Sequence, residues 1–425
     1  MVAIPYARRI VDDDLDDLLA GLPAIAIEGP KAVGKTRTAL ERAKTVYRLD
    51  DPGQLVVAKA DPQRILEGER PVLIDEWQRL PQSWDLVRRA VDDGVEAGAF
   101  LLTRSAVPDP LPTHSGAGRI VSLRMRPMAL TERGYDPSVS LASLFGGEAQ
   151  IRGETDVGLD EYTAEILSSG FPAIRALPAT ARERMVSSYL QRVVDRDISD
   201  DAGTLIRNPV ALRRWMTAYA AAVSTPTSFE KIRNAATAGH EHKPARNTAD
   251  SYRDALERVW VLDEVLAWTP GRGRLRELGR SPVHQLADPA LAAELLGARR
   301  ESLLAGEGAA GHGGRDAPLL GALFQALATL CIKIYAERSR ASVGHLRTAR
   351  GRHEVDLVAH RPDGTLVAIE VKLAATVEDA DVRHLTWLKH ELGNVVRDCL
   401  VVTTGTTAYR RQDGIGVVPL ALLGP

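Results

Sequence analysis

Cysteine is scarce in this sequence. Cys331 and Cys399 are the two cysteines among 425 residues, and both lie within apolar stretches. Two cysteines so placed provide neither a disulfide framework nor a zinc-ligand set. They are typical of buried thiols in a reducing compartment, so we expect a cytoplasmic protein.

The sequence has no marked excess of positive or negative charge. It also has no long apolar run. Lysine and arginine number 54 against 56 aspartates and glutamates, which leaves a formal net charge of −2. Such a balance gives no overall attraction to nucleic acid or to a membrane surface. We recognise no signal peptide and no apolar run near the length of a membrane span, so we expect no membrane contact. The length and the 44% hydrophobic content predict two or three globular domains.

A glycine-rich loop satisfies the pattern G-x-x-x-x-G-K-[ST]. The apolar stretch 23–28 before it predicts a buried strand, and 36–44 after it predicts a helix. Strand, loop and helix together direct backbone N–H groups at an anion, with Lys35 reaching the β- and γ-phosphates and Thr36 on Mg²⁺. The residues expected to contact ATP are Gly29, Pro30, Lys31, Ala32, Val33, Gly34, Lys35, Thr36 and Arg37.

Two carboxylates follow the next apolar stretch, 71–74, at the end of a predicted strand. A carboxylate at the carboxyl end of a central strand lies beside the phosphate loop in open α/β sheets. We expect Asp75 to hold Mg²⁺ through water and Glu76 to orient and deprotonate the attacking water. The pair therefore predicts ATP hydrolysis as well as ATP binding.

Two further residues are candidates for the same reaction. Thr103 ends a predicted strand over 99–103, where it would sense the γ-phosphate or simply begin a turn. Arg119 follows a glycine-containing loop, where it would serve as an arginine finger or pair with a surface acid. The sequence leaves both alternatives open.

The middle of the chain, 151–315, is predicted to be helical. Within it, 228–266 predicts a winged-helix arrangement whose second helix, 247–260, would be the recognition helix and whose strand is 261–266. His240 and His242 cannot share one helix face, so we interpret them as a solvated loop. The glycine-rich stretch 304–318 marks the boundary to the last domain.

The last domain carries its own carboxylate pattern. Asp363-Gly364 separates two apolar stretches and predicts a hairpin. Alternation then places Glu370 and Lys372 on one face of a strand, with Asp356 on the neighbouring strand. Asp356 and Glu370 are candidate Mg²⁺ ligands, and Lys372 would position water and stabilise charge. Two exposed charges on a hairpin are the alternative.

These motifs together resemble a prokaryotic AAA-type ATPase family. Its members join an ATPase core to a C-terminal region of unknown function that ends in a PD-(D/E)XK nuclease-like fold. The matching residues are 29–36, 73–78, 101–105, 118–119, 170–172, 195–197, 281–282, 288–289 and 370–372. Two positions depart from the family pattern: Arg104 replaces a glycine at the sensor strand, and Gln325 replaces a glutamate that would supply a further acid.

We therefore predict an α/β protein with three regions: a three-layer P-loop ATPase core (1–150), a helical and winged-helix region (151–315), and a small α/β nuclease-like domain (316–425). The expected function is an Mg²⁺-dependent ATPase acting as a switch or motor on a partner, with DNA and a homo-oligomer as candidates. The alternatives are an ATP-regulated nuclease and a nucleotide-controlled binding protein with an inactive nuclease-like domain. Local basic patches that would suit phosphate contacts are formed by Arg272, Arg274, Arg276, Arg280, Arg338, Arg340, Arg347, Arg350 and Arg352.

Overall fold

The computed structural model describes residues 5–108, 115–147, 149–200, 206–237, 246–269, 281–305, 317–348 and 351–425. Over these residues the chain is an α/β protein with a five-stranded sheet near its start and a seven-stranded sheet near its end. Helices connect the two sheets. The predicted fold class is confirmed.

The first sheet is parallel throughout, in the order β2-β3-β4-β1-β5. Its strands are β1 (Ala24–Glu28), β2 (Thr45–Arg48), β3 (Val72–Asp75), β4 (Phe100–Arg104) and β5 (Val121–Arg124). Its helices are α1 (Ile10–Leu19), α2 (Lys35–Leu40), α3 (Pro52–Ala60) and α4 (Gln82–Asp92).

Alternate residues of these strands enter two separate cores, as the period-2 geometry of a strand requires. Ile25 and Leu101 pack with Leu15 of α1 and Ala39 of α2. Residues of the opposite pleat, such as Ala26 and Leu102, pack with α3 and α4 through Ala58, Leu86 and Val87. The sheet therefore lies between two helical layers, which is the predicted three-layer core.

Several local predictions need correction in this region. The helix after the glycine loop ends at Leu40, four residues earlier than predicted. We did not predict α3, which begins at Pro52 behind the N-cap Asp51; the Asp51 carboxylate accepts hydrogen bonds from two backbone N–H groups of the first turn.

A short connecting segment links the N-terminal core to the C-terminal sheet. It contains β6 (Val139–Ser140), α5 (Leu141–Gly146) and β7 (Gly153–Glu154). The strand β6 pairs in parallel with the last strand of the chain, and β7 forms one edge of the seven-stranded sheet. The connecting segment is thereby tied to the C-terminal region at two places.

The middle region is helical, as predicted. Its helices are α6 (Leu159–Leu167), α7 (Pro172–Arg175), α8 (Ala179–Arg192), α9 (Ile198–Asp200), α10 (Pro209–Ala221), α11 (Phe229–Ala235), α12 (Arg246–Arg258), α13 (Pro289–Leu295) and α14 (Arg300–Leu304). A π-helical turn, Val193–Asp197, joins α8 to α9. The strand predicted at 261–266 is not continuous: Leu262 and Val265 form isolated antiparallel bridges with Leu286 and Val283.

The C-terminal region begins with a long helix and continues as a mixed sheet in the order β7-β12-β13-β11-β10-β9-β8. Its elements are α15 (Ala317–Arg338), β8 (Ser342–Arg347), β9 (Glu354–His360), β10 (Leu366–Lys372), α16 (Asp379–Leu392), β11 (Val396–Thr403), β12 (Thr407–Arg410), β13 (Gly416–Pro419) and β14 (Leu423–Gly424). The predicted hairpin is confirmed, because β9 and β10 are antiparallel and Gly364 turns with φ of 87°.

The helix α15 corrects our expectation about apolar runs. Pro318–Arg338 has the length and the mean hydropathy, 1.7, of a membrane-crossing helix, but 78% of it is buried inside the protein. It packs against α6, α13 and β8. We therefore interpret α15 as the core helix of the C-terminal half.

Both cysteines are buried and free, as expected from the sequence. Cys331 lies on α15 and Cys399 on β11. Burial raises the pKa of the Cys331 thiol to about 11 and that of Cys399 to about 12. Both thiols are therefore protonated and unreactive near neutral pH.

A buried ion cluster joins the three regions of the chain. Asp263, which follows α12, accepts hydrogen bonds from Arg126 Nε at 2.7 Å and from Lys333 Nζ of α15 at 3.0 Å. Arg126, just beyond β5, also pairs with Glu337 at 2.5 Å. Breaking one partner of such a buried pair typically costs about 3–5 kcal/mol, so the cluster fixes how the regions are joined.

Candidate functional site

The glycine loop leaves β1 under a tight steric constraint. A Cβ atom at position 29 would lie 2.1 Å from the backbone oxygen of Met125, so only glycine fits there. Gly34, the N-cap of α2, has φ of 114°, a conformation that side chains other than glycine rarely adopt. The two glycines of the motif therefore let the backbone turn directly into the N-terminus of α2.

Inside this loop, Lys35 and Thr36 are directed by hydrogen bonds. Lys35 is buried, and its Nζ donates to the carbonyl oxygens of Gly29 and Pro30 at 2.9 and 2.8 Å. Thr36 Oγ1 donates to Asp75 Oδ1 at 2.8 Å. The structure thus brings together the loop threonine and the strand-end aspartate, which the sequence assigned to one metal site.

Thr103 contacts both predicted carboxylate residues. Its fully buried hydroxyl donates to Asp75 Oδ1 and accepts the backbone N–H of Glu76 at 3.1 Å. Sensing of the γ-phosphate by Thr103 stays a prediction. The hydroxyl positions the end of β3.

Glu76 has an unusual backbone and two side-chain partners. Its φ is 55°, in the left-handed region, which re-aims the side chain as the chain leaves β3. Its Oε2 accepts from Ser105 Oγ at 2.5 Å and from the Gln78 amide. Ser105 and Gln78 were absent from our predicted site, although both lie within two residues of predicted members.

The donor set fits a nucleotide phosphate with Mg²⁺. The hydroxyl of Thr36 and the carboxylate of Asp75 are hard oxygen ligands of the kind Mg²⁺ prefers. The glycine positions leave no Cβ between the loop backbone and an anion, and the first turn of α2 supplies N–H groups without intrahelical partners. Within the described residues, no group of three or more His, Cys, Asp or Glu side chains comes together as a metal site.

Arg104 has a structural explanation. Its guanidinium pairs with Glu28 at 2.7 Å and lies over the rings of Trp77 and Trp260, 5.5 and 5.8 Å from their centroids. Glu28 and Arg104 are register partners at the ends of β1 and β4. Arg104, which departs from the family pattern, therefore lies at the carboxyl ends of β1 and β4 and contacts Trp77, the residue after Glu76.

Two long-range contacts hold the loop from outside. Lys31 Nζ pairs with Asp197 of the π-helical turn at 2.6 Å. Buried Arg9, from the N-terminal segment, donates Nη1 to the carbonyl oxygen of Val33 at 3.0 Å and pairs with Glu132. Asp12 of α1 pairs with Arg42, just beyond α2, at 2.7 Å.

Arg119 lies at the amino ends of the parallel strands, whereas the phosphate-binding loop 29–36 of the same molecule lies at their carboxyl ends. It precedes β5, which runs parallel to β1 with Val121 beside Ile25, whereas the loop follows Glu28. Four strand residues separate these levels, a distance of about 13 Å. The side chain is 47% exposed and donates Nε to Asp92 at 2.8 Å.

The carboxylates of the C-terminal region meet as predicted. Asp356 Oδ2 accepts the backbone N–H of Val371 at 2.9 Å, and its carboxylate lies beside that of Glu370. Lys372 Nζ lies 3.8 Å from Glu370 Oε2 and 3.9 Å from Asp381 Oδ1. Burial and the neighbouring Asp356 raise the pKa of Glu370 to about 10, against the opposing effect of Lys372.

Glu370 also has a buried atom without a partner. Its side chain is 6% exposed, and Oε1 has no hydrogen-bond partner among the described residues. A buried, unpaired carboxylate oxygen beside a second carboxylate is a donor set that suits a divalent cation. Gln325, where an acid was expected, lies partly buried on α15.

Not all predicted features can be placed. His240 and His242, Arg272, Arg274, Arg276, Arg280 and Arg350, and most of the glycine-rich stretch, 306–316, lie outside the described residues. Of the remaining arginines in the predicted basic patches, Arg338 pairs with Asp14 and Asp17, and Arg347 pairs with Glu354. Arg340 and Arg352 are exposed.

Three segments of the chain match known families. Residues 22–133 match the family described as AAA domain. Residues 159–302 match Domain of unknown function (DUF8612), and residues 320–423 match Domain of unknown function (DUF4143).

Two uncharacterized mycobacterial proteins are similar to the chain. They are Rv2008c of Mycobacterium tuberculosis and Mb2031c of Mycobacterium bovis, each 26% identical over 303 residues. The match covers 68% of this chain and 60% of each relative, so the chain spans less than two thirds of their length.

Two solved structures are similar at lower identity. The Walker-type ATPase PABY2304 of Pyrococcus abyssi is 15% identical with a TM-score of 0.41, over 69% of this chain and 98% of its own. The Aeropyrum pernix ORC2 protein, solved as ADPNP–ADP complexes, is 13% identical with a TM-score of 0.31, over 76% of this chain and 96% of its own. The loop, the strand-end carboxylates and the match of residues 22–133 to the AAA domain family together support a P-loop domain of the AAA type in the N-terminal part of the chain.

Proposed function

We propose that the protein is an Mg²⁺-dependent ATPase that uses the nucleotide to switch the state of a partner. The observation that carries the proposal is the hydrogen-bonded set Thr36–Asp75–Thr103–Glu76 beside the glycine loop. A bound Mg²⁺ would supply positive charge beside the phosphates. Thr36 and Asp75 would hold it, with Asp75 acting through water.

The protein groups divide the remaining work. The loop amides and Lys35 bind the phosphates, and the carboxylate of Glu76 orients water and takes its proton. In the structure, Ser105 and Gln78 hold this carboxylate in place. Losing a general base typically costs 10²–10⁴-fold in rate.

The test compares ATP binding and turnover in the full chain and two variants. We expect Lys35→Ala to lose ATP binding. Glu76→Gln keeps the size of the side chain and should bind ATP but turn it over at least about 10²-fold more slowly. Wild-type turnover in Glu76→Gln would exclude the base role, and ATP binding by Lys35→Ala equal to wild type would exclude the site.

We propose DNA as the partner, through the winged-helix element predicted at 228–266. Three helices, α10 to α12, are followed by antiparallel bridges between 262–265 and 283–286, which supports that arrangement. The helix α12 is linked to the ATPase core, because Val107 N donates to Arg258 O at 2.9 Å and Trp260 stacks with Arg124. ATP turnover should therefore change when duplex DNA is added; unchanged turnover, with no DNA binding, would point to a protein partner.

The C-terminal region supports a second candidate function, metal-dependent cleavage of nucleic acid. The observation that favours it is the buried, unpaired Oε1 of Glu370 beside Asp356 and Lys372. The sequence of elements α15-β8-β9-β10-α16-β11 supports a nuclease-like fold. If this region neither cuts DNA nor binds metal, we expect it to serve as a docking surface in a nucleotide-controlled binding protein.

A further inference from the structure

Arg104 lies between two residues that hold Glu76 at the ATPase site. Thr103 Oγ1 accepts the backbone N–H of Glu76, and Ser105 Oγ donates to the Glu76 carboxylate. Side chains alternate along a strand, so Arg104 is directed to the opposite side, where its guanidinium lies 5.5 Å from the centre of the Trp77 ring. Because Trp77 directly follows Glu76, Arg104 contacts the turn that presents the water-activating carboxylate.

The same guanidinium contacts a tryptophan at the end of α12. It lies 5.8 Å from the centre of the Trp260 ring. Trp260 has φ of 61°, a left-handed conformation that bulky residues rarely adopt. It stands where the helix ends in a 6→1 hydrogen bond, from Val261 N to Leu256 O at 2.9 Å, a position that glycine usually fills. A strained backbone of this kind calls for a functional reason, and the contact of the Trp260 ring with Arg104 supplies one.

Ring faces rather than hydrogen bonds join Arg104 to the two tryptophans. The Arg104 side chain is 16% exposed and pairs with Glu28 at 2.7 Å. In the part of the chain that the structure describes, Arg104 Nε and the indole Nε1 atoms of Trp77 and Trp260 are buried without a hydrogen-bond partner. The flat guanidinium against the two rings therefore fixes their relative position, and cation–π contacts are strongest when they are desolvated in this way.

We infer that Arg104 is a positioning residue for ATP hydrolysis, through which the placement of the Glu76 carboxylate depends on the end of α12. The inference rests on the proposed function, because it assumes that Glu76 activates water. A shift of α12 moves the Trp260 ring, and the ring moves Arg104 and Trp77, which is covalently joined to Glu76. Glycine, which the family pattern has at position 104, has no side chain to make this contact, so the coupling is a property of this chain.

The experiment measures kcat and ATP affinity separately in the full chain, with Mg²⁺ present. Arg104→Lys keeps a charge beside Glu28 but replaces the flat guanidinium. We expect it to lower kcat by about 2- to 30-fold, the equivalent of a cation–π contact, and to leave ATP affinity within a few-fold of wild type. Trp260→Leu should lower kcat similarly, whereas Trp260→Phe keeps a ring and should retain most of the rate. Arg361→Lys is the matched control, because Arg361 lies 4.1 Å from the centre of the Phe145 ring, outside the matched AAA domain.

A double variant separates coupling from a general loss of stability. If Arg104 and Trp260 act through each other, Arg104→Lys combined with Trp260→Leu should lower kcat no further than either change alone. Effects that multiply, an unchanged kcat in Arg104→Lys, or an equal fall in Arg361→Lys would overturn the inference. A loss of ATP affinity as large as the fall in kcat would also overturn it, since Arg104 would then act on the phosphate loop through Glu28. These outcomes leave the proposed function standing as long as the wild type hydrolyses ATP, whereas a wild type without turnover overturns the proposed function as well.

Discussion

The hydroxyl of Thr103 bonds the carboxylate of Asp75 directly, across two neighbouring strands. The same oxygen accepts the backbone N–H of Glu76, the residue whose backbone turns into the left-handed region. One buried side chain therefore fixes both the metal-side aspartate and the start of the turn that presents Glu76. Its removal should affect the chemical step more than nucleotide binding.

We predict that Thr103→Val lowers turnover and leaves ATP affinity within a few-fold of wild type. Valine has the shape of threonine, but it removes one of the two hydroxyl donors to Asp75 and leaves the Glu76 N–H without its partner, at a cost of about 1–3 kcal/mol for a buried group. Thr103→Ser restores the hydroxyl and should recover most of the rate. Separate measurements of kcat and of ATP affinity test this; equal turnover in Thr103→Val and wild type would show that the hydroxyl is dispensable.

The site was predictable where the chemistry is local in the chain. Thr36 and Asp75 belong to motifs whose strands and loop are adjacent along the sequence, and the hairpin that carries Glu370 follows from the turn residues Asp363 and Gly364. These features depend on periodicity and on residues a few positions apart.

The remaining contacts were not predictable because they join distant segments. Arg9 contacts Val33, Lys31 pairs with Asp197 166 residues away, and Arg104 pairs with Glu28. A single sequence shows that such charged residues exist but does not show which of them meet. The strand predicted at 261–266 was wrong because Leu262 and Val265 form isolated bridges rather than a ladder. Val261, Leu262 and Val265 are buried, but the apolar residues of this stretch do not alternate and Leu266 is exposed.

Arg119 should act only between molecules. Arg119 is exposed and lies at the side of the sheet opposite the phosphate-binding loop 29–36 of the same molecule. We therefore predict that specific ATPase activity rises with protein concentration and that Arg119→Ala lowers this activity. Arginine fingers contribute about 10³–10⁵-fold in GTPases. Arg88→Ala is the matched control, because Arg88 pairs with the same Asp92. Turnover independent of concentration, with Arg119→Ala as active as Arg88→Ala, would contradict a finger role.

The ion cluster predicts a pH dependence of stability. Burial lowers the pKa of Lys333 from 10.5 to about 8, despite Asp263; the other charged groups facing it are Arg124 and Arg126. Between these two pKa values the unfolded state binds more protons than the folded state, so the free energy of unfolding gains with rising pH. This contribution is present above about pH 10.5 and lost as the pH falls through 8.

We therefore expect Lys333→Met to lack this pH dependence. From pH 8 to pH 10.5, the free energy of unfolding of the wild type should rise relative to that of Lys333→Met by up to about 1.4 kcal/mol for each unit by which the pKa is lowered. Denaturant unfolding at several pH values measures the difference, and Lys59→Met, which changes an exposed lysine of α3, is the control. A difference between wild type and Lys333→Met that stays constant over this pH range would contradict the prediction.

The C-terminal carboxylates should bind Mg²⁺ or Mn²⁺ weakly and support slow nicking of DNA, favoured by Mn²⁺. Asp356 and Glu370 supply two ligands, Gln325 stands where a third acid was expected, and a substrate phosphate would complete the coordination. We expect Asp356→Ala to abolish metal binding and cleavage, and Lys372→Ala to abolish cleavage alone. Cleavage by Lys35→Ala, which we expect to lose ATP binding, shows whether cleavage requires ATP.

Linear, plasmid and single-stranded DNA should be tested with metal titration alongside. If no substrate is cut and no metal binds to the wild type, the region is a docking scaffold, and its partner should instead be sought by binding in the presence and absence of ATP.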